Sequence, residues 1–251
     1  MSSQPLAADP PPQERTRDAA QWVWAGVALA LVAVPFALLL LLVEDHWGPL
    51  QAADQGARDD LHRYALTRPL FVEAMRVLSD SGSALAWQVV VGVCVVWLLW
   101  RRLWRLAIFT AVTVAGSSLL NTVVKTLVHR TRPVVTDPFV HEPGASFPSG
   151  HAQAAIVGYG VLLLVFLPVL PVRWRRPVVV VAAVLVVAIG FSRVALAAHY
   201  VSDVVGGFVL GAAWLAALTA LFSVWRLQRG RAPVAPAEGL APEDAARLDP
   251  T

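Results

Sequence analysis

Charge is scarce in this chain, and cysteine is scarcer. Only 15% of its 251 residues are Asp, Glu, Lys or Arg, against 57% hydrophobic residues, and mean hydropathy is +0.61. That balance is too apolar for an ordinary soluble domain. The one cysteine, Cys94, lies inside an apolar run, which excludes an intramolecular disulfide and a thiolate metal site. Long stretches also lack the polar residues that would recur at helical spacing on a soluble bundle. A bilayer is the solvent this composition suits.

What is present is a series of apolar windows, at 19–43, 81–100, 106–124, 152–172, 177–192 and 204–225. Each approximates the roughly 20 residues that a helix needs to cross hydrocarbon. The fifth is the shortest, and extending it through Arg193 toward 197 places that arginine near the membrane boundary. The pattern predicts an all-α polytopic membrane protein with six transmembrane helices. The first window is longer than the apolar core of a signal peptide, and Glu44, Asp45, His46 and Trp47 follow it instead of a small-residue cleavage site; a retained helix is expected. A leader over 1–18 and a tail over 227–251, proline-, alanine- and acid-containing from Gly230 onward, read as disordered ends around a membrane domain at 19–226. Within the loop 44–80, Leu70, Phe71, Ala74, Met75 and Leu78 recur at helical spacing. They predict an interfacial helix over 69–78, between spans one and two, serving either packing or substrate contact.

The net charge of +3 and isoelectric point near 9.6 come from short arginine blocks between spans. Arg101, Arg102 and Arg105 lie between spans two and three, Arg173, Arg175 and Arg176 between four and five, and Arg226, Arg229 and Arg231 after six. Topology explains these blocks better than nucleic-acid binding does. The positive-inside rule assigns them, and both termini, to the cytoplasmic side of an inner (cytoplasmic) membrane. The loops 44–80 and 125–151 and the turn 199–203 then face the periplasm or exterior.

Polar residues that topology leaves unexplained fall in three places: Lys125, Arg132 and Pro133; Pro148, Ser149, Gly150 and His151; Ser192, Arg193, His199 and Asp203. All lie at the same end of the expected bundle. Singly, Lys125 reads as a snorkelling lysine, Ser149 as a helix cap and His199 with Asp203 as a hydrogen-bonded pair on one helical face. Together, ionisable groups so close to a bilayer point to a site. Phosphoryl transfer needs fixed cationic donors around the equatorial oxygens. Lys125, Arg132 and Arg193 supply that charge, and Ser149 with the amides near Gly150 adds donors at a helix start. Two histidines suit a two-step displacement. His199 attacks phosphorus with Asp203 holding its tautomer, while His151 protonates the leaving group and later deprotonates water. With no cysteine cluster and no convergent carboxylates in these segments, neither metal nor cofactor is expected. A transporter would instead place ionisable groups near mid-span, often in related positions of two halves.

The three segments read KTLVHRTRP from Lys125, PSGH from Pro148 and SRVALAAHYVSD from Ser192. They resemble the signature motifs of the type 2 phosphatidic acid phosphatase family, KXXXXXXRP, PSGH and SRXXXXXHXXXD, and match every defined position. The resemblance implies a six-helix membrane fold and a metal-independent site facing outward. It also implies phosphorylation of His199, proton transfer by His151, and phosphate binding by Lys125, Arg132, Ser149, Gly150 and Arg193. The implied partner is a lipid phosphate: a phosphatidate, a phosphatidylglycerophosphate, or a polyprenyl phosphate or diphosphate such as undecaprenyl pyrophosphate. Soluble acid phosphatases and vanadium haloperoxidases share the motifs, but six apolar spans argue against both. A phosphotransferase, with an acceptor alcohol in place of water, stays open as an alternative.

Overall fold

The computed structural model describes residues 33–231, 234 and 238–248. The leader 1–18 and the first part of span one lie outside the described residues. Among those described, regular structure is helical throughout: α1 (Ala33–Glu44), α2 (Gly48–Leu66), α3 (Pro69–Ser81), α4 (Ala84–Trp100), α5 (Trp104–Val128), α6 (Gly150–Phe166), α7 (Val172–Ala195), α8 (Val201–Gln228) and the single turn α9 (Ala245–Leu248). Four units are long and apolar enough to cross a membrane: α5, α6 with its 3-10 extension to Val169, α7 and α8. Two bent pairs raise the number to as many as six, α1 with α2 at 88° and α3 with α4 at 42°. The all-α expectation holds, and the spans fall close to their expected windows. α4 starts at Ala84 because Ser83 caps it, its side chain accepting from the Ala86 N–H at 3.2 Å.

The segment 44–80 departs from expectation. It is almost wholly helical, with α2 preceding the expected interfacial helix, which appears as α3. α2 escapes a periodicity reading because its sequence, GPLQAADQGARDDLHRYAL, is polar on most sides. Its inward residues are Asp54, His62 and Ala65, so it buries mainly polar groups. His62 Nε2 meets Thr136 O at 2.8 Å, and Arg76 of α3 donates to Phe139 O at 3.3 Å. α2 and α3 thereby pin the long loop between α5 and α6.

The bundle is held by close approach of α8 to α6. A Cβ on Gly207 would lie 2.5 Å from Ser149 O, so only glycine lets the two backbones meet where the PSGH segment starts α6. Toward the opposite end, Leu98, Leu106, Phe109, Val157, Val161 and Val165 form the main apolar cluster. Valines that point outward, among them Val89, Val93, Val96, Val180, Val184 and Val187, suit a lipid-facing surface.

The tail corrects the expectation of a disordered segment over 227–251 in part. Residues 238–248 fold back on the end of the bundle opposite the histidines. Leu240 N–H bonds Leu164 O at 2.8 Å, and Leu240, Ala241 and Leu248 are buried. Glu243 takes Arg226 and Arg231 at 2.6 Å each, and Arg247 donates to Arg101 O at 3.1 Å. Composition marks this segment as polar, but its two leucines fill the core and its acid meets an arginine block.

Candidate active site

The three motif segments, far apart in sequence, meet at one end of the bundle. α5 ends at Val128 because His129 adopts a left-handed conformation (φ 49) and its N–H closes on Lys125 O. This releases the chain so that Arg130 and Arg132 turn inward. Ser149 caps α6, its hydroxyl accepting from Ala152 N–H at 3.4 Å, and its own N–H donates to Asp203 O at 2.9 Å. The turn between α7 and α8 is closed by the N–H groups of Ala198 and His199, both donating to Arg193 O at 3.0 and 3.2 Å. Asp203 sits in the first turn of α8 and accepts the Tyr200 N–H at 2.8 Å.

His199 is the centre of this arrangement and is 1% exposed. Its Nε2 lies 3.2 Å from Arg132 Nη1, and its Nδ1 lies 3.5 Å from Asp203 Oδ2 and 3.4 Å from Ser146 Oγ. A guanidinium has no acceptor, so Nε2 must present its lone pair and the ring proton sits on Nδ1, facing the carboxylate. Burial pushes the imidazole down to about 4, against the opposing pull of Asp203. A neutral ring with Nε2 free of a proton is the form a nucleophile requires.

Three cations surround it. Lys125 Nζ donates to Ala145 O at 2.6 Å. Arg132 donates to Gly144 O at 3.1 Å and Ala198 O at 3.0 Å. Arg193, 1% exposed on the last turn of α7, bonds Ser79 of α3, and its buried Nε has no partner among the described residues. The motif residues expected to converge are thus brought together, with Gly150 and His151 opening α6 beside them. Glu142 was not expected here. Its carboxylate bridges Arg193 and, at 3.1 Å, Arg132. Burial alone would raise this carboxyl, but Arg193, His151, Arg132 and His199 hold it below its usual range.

A second layer also went unread in the sequence. Arg130, an undefined position of the first motif, donates to Asp203 Oδ1 at 2.6 Å, Ser202 Oγ at 2.7 Å and Asp54 Oδ2 at 2.8 Å. Burial works to lower its affinity for protons, yet Asp203 and Asp54 together raise it. Asp54, 2% exposed, also accepts the Ser202 N–H at 3.0 Å and the Ser202 hydroxyl. Ser146 completes the set by donating to Asp203 Oδ2. Arg130 stood in view between Lys125 and Arg132, whereas nothing in a helix read as loop marked Asp54. Among the described residues, no group of three or more His, Cys, Asp or Glu side chains is arranged to hold a metal ion.

A buried His–Asp pair ringed by lysine and arginine at one end of a membrane bundle defines a class, a phosphoryl-transfer site embedded at the membrane surface. Comparison with known proteins makes it particular. The PAP2 superfamily model matches residues 106–227. A phosphatidylglycerophosphatase B of Bacillus subtilis is 32% identical over 178 residues, covering 69% of this chain and 85% of that protein. An undecaprenyl-diphosphatase of Sulfolobus acidocaldarius is 29% identical over 150 residues, 58% of this chain and 67% of the relative. The crystal structure of a transmembrane PAP2 type phosphatidylglycerolphosphate phosphatase from Bacillus subtilis superposes with a TM-score of 0.68 at 28% identity, over 77% of this chain and 94% of that one. The chain belongs to the PAP2 superfamily, and it is a membrane-embedded phosphatase.

Proposed function

We propose that this protein hydrolyses a phosphomonoester or diphosphate on a lipid headgroup through a phosphohistidine at His199. The observation that carries the reading is the geometry of that ring: Nδ1 turned to Asp203, Nε2 beside Arg132, the whole side chain buried. In the first step Nε2 attacks phosphorus, the bond from phosphorus to the leaving oxygen breaks, and His151 gives that oxygen a proton. In the second, His151 takes a proton from water as the water oxygen displaces Nε2, releasing phosphate. Lys125, Arg132, Arg193, the Ser149 hydroxyl and the Gly150 amide bind the phosphoryl oxygens and offset the charge that develops on them. Glu142 gives up its two arginines when the substrate enters. Cations supply the charge compensation in this scheme, so no metal takes part.

The substrate class follows from the setting. The site opens at the end of membrane-spanning helices, so the scissile group lies at the interface while the apolar chains remain among helices or lipid. The names of the relatives span glycerophospholipid and polyprenyl phosphates. The arginine blocks favour a site on the periplasmic or outer face of the cytoplasmic membrane, with both termini in the cytoplasm. The enzyme then acts on lipid already delivered to the outer leaflet.

The test is phosphate release by the purified full-length protein in detergent from a panel of lipid phosphates and diphosphates, with and without EDTA, alongside His199→Ala. Turnover by the wild-type protein that is indifferent to chelation and abolished in His199→Ala is expected, with an acid-labile phosphoprotein trapped only when His199 is present. Activity in His199→Ala, or loss on chelation restored by a divalent ion, would overturn the mechanism.

A further inference from the structure

Two residues past His151, α6 buries an amide. Gln153 is 1% exposed on a helix of spanning length, where a polar group without partners is costly. Both ends of that amide are engaged by α5. Its Nε2 donates to Ser117 O and Ser117 Oγ at 2.9 Å each, and its Oε1 accepts from Asn121 Nδ2 at 2.8 Å. α8 closes the opposite flank. A Cβ on Gly207 would lie 3.2 Å from Gln153 N, and one on Gly211 would lie 3.3 Å from Gln153 Cγ. Trp214 of α8 donates in turn to Thr113 O of α5 at 2.7 Å. Gln153 therefore cannot shift without moving α5 or α8.

The anchor points lie one turn from the chemistry. Asn121 precedes Lys125 by four residues, about 6 Å along α5 and on the same face. It also abuts the start of α6, since a Cβ on Gly150 would lie 3.4 Å from Asn121 Oδ1. The Asn121 amide thus meets α6 just before His151, at Gly150, and just after it, at Gln153. Apolar side chains could fill this space. They would let the helices slide and rotate against one another, whereas directed hydrogen bonds admit one register.

We infer that Gln153, with Asn121 and Ser117, is a positioning brace that sets the height and rotation of His151 relative to the phosphate held by Lys125. The inference rests on the reading of His151 as proton donor to the leaving oxygen. In that step the bond from phosphorus to the leaving oxygen breaks while a proton passes from the imidazole to that oxygen. Misalignment of the ring therefore raises the barrier only where the leaving group needs the proton. Lys125, Arg132 and Arg193 act instead on phosphoryl oxygens that every phosphomonoester shares. Loss of the brace should discriminate by leaving group, and not by affinity for phosphate.

The test compares kcat/KM of the full-length enzyme in mixed micelles for two amphiphiles of equal chain length. One is an alkyl phosphate, whose alkoxide needs a proton as it departs; the other is an alkyl-substituted nitrophenyl phosphate, whose phenolate leaves as the anion. Gln153→Leu, which keeps most of the volume, should lower kcat/KM about 10- to 100-fold for the alkyl ester. The nitrophenyl ester should lose less than about threefold, because its departure needs no general acid. Asn121→Ala should show the same bias to a smaller degree, and it stands in for Gln153→Leu if that variant does not fold. Val161→Ala, a truncation in the buried apolar cluster toward the other end of α6, should lower the melting temperature without bias between the esters. Equal loss on both esters in Gln153→Leu and Asn121→Ala, or no loss on either, would overturn the brace and leave the phosphatase reading standing. His151→Ala is the benchmark, with the largest bias expected. Equal loss on both esters in that variant would instead overturn the role of His151, and the brace with it. Absence of phosphate release from both esters by the wild-type protein would overturn the phosphatase reading itself.

Discussion

Replacing Arg130 with glutamine isolates the support beneath the His199–Asp203 pair without touching Lys125, Arg132 or Arg193. The guanidinium joins Asp203 at 2.6 Å, Ser202 at 2.7 Å and Asp54 at 2.8 Å, and the two carboxylate side chains are 0% and 2% exposed. Breaking a buried pair by removing one partner costs about 3–5 kcal/mol, because a charge is left uncompensated. Here Asp203 keeps the Tyr200 N–H and Ser146, and Asp54 keeps both donors of Ser202, so the low end, about 3 kcal/mol, is expected. The kinetic effect follows from Asp203. Held on one oxygen by Arg130, it turns its other oxygen to His199. Loosening an orienting group at one remove from the chemistry costs about 10- to 100-fold in rate. Arg130→Gln should therefore lower kcat by that amount with little change in KM and reduce the melting temperature in detergent. Arg130→Lys keeps the charge but loses the fork, and should fall between. A double-mutant cycle with Asp54→Asn should show coupling well above the few tenths of a kcal/mol seen for independent sites. Unchanged kcat and stability, a pure rise in KM, or additivity with Asp54→Asn would refute the reasoning.

Other expectations follow from the same geometry. The His199 imidazole goes from 6.5 to about 4 on folding, so the unfolded chain binds its proton first as pH falls. The resulting stability is complete above the unfolded value and is lost through the interval down to the folded one, at most about 3 kcal/mol. Melting temperature should fall more steeply from about pH 7 to about pH 5 in the wild-type protein than in His199→Phe, and parallel curves would contradict this. Gly207→Ala sets a methyl 2.5 Å from Ser149 O; forcing α8 off α6 should destabilise by about 1–3 kcal/mol and displace the Ser149 amide, and wild-type stability with full activity would count against that contact. For sidedness, a cysteine introduced by Val140→Cys in a Cys94→Ser background should react with an impermeant maleimide in cells with a permeabilised outer barrier, and one introduced by Trp174→Cys should not. The reverse pattern would overturn the orientation and the outer-leaflet substrate pool.

The sequence by itself determined the membrane setting and the phosphatase class. Apolar windows of spanning length define most of the helices without reference to tertiary contacts, because burial in hydrocarbon is imposed by the solvent and needs no partner. The motif residues were legible for a related reason: Lys125, Arg132, Arg193, His151, His199 and Asp203 are ionisable groups where ionisable groups are costly. Tertiary structure decided everything that depends on a partner distant in the chain. α2 buries Asp54 and His62, a polar selection that no hydrophobic period reveals, and only the fold brings Arg130 against Asp54 across the 76 residues that separate them. Glu142 looks like an ordinary loop acid until the loop delivers it between Arg132 and Arg193. The tail looks polar until Leu240 and Leu248 find a core and Glu243 finds Arg226. Hydropathy is a property of each segment alone, whereas charge pairing and donor satisfaction belong to pairs of segments, and those pairs exist only once the chain has folded.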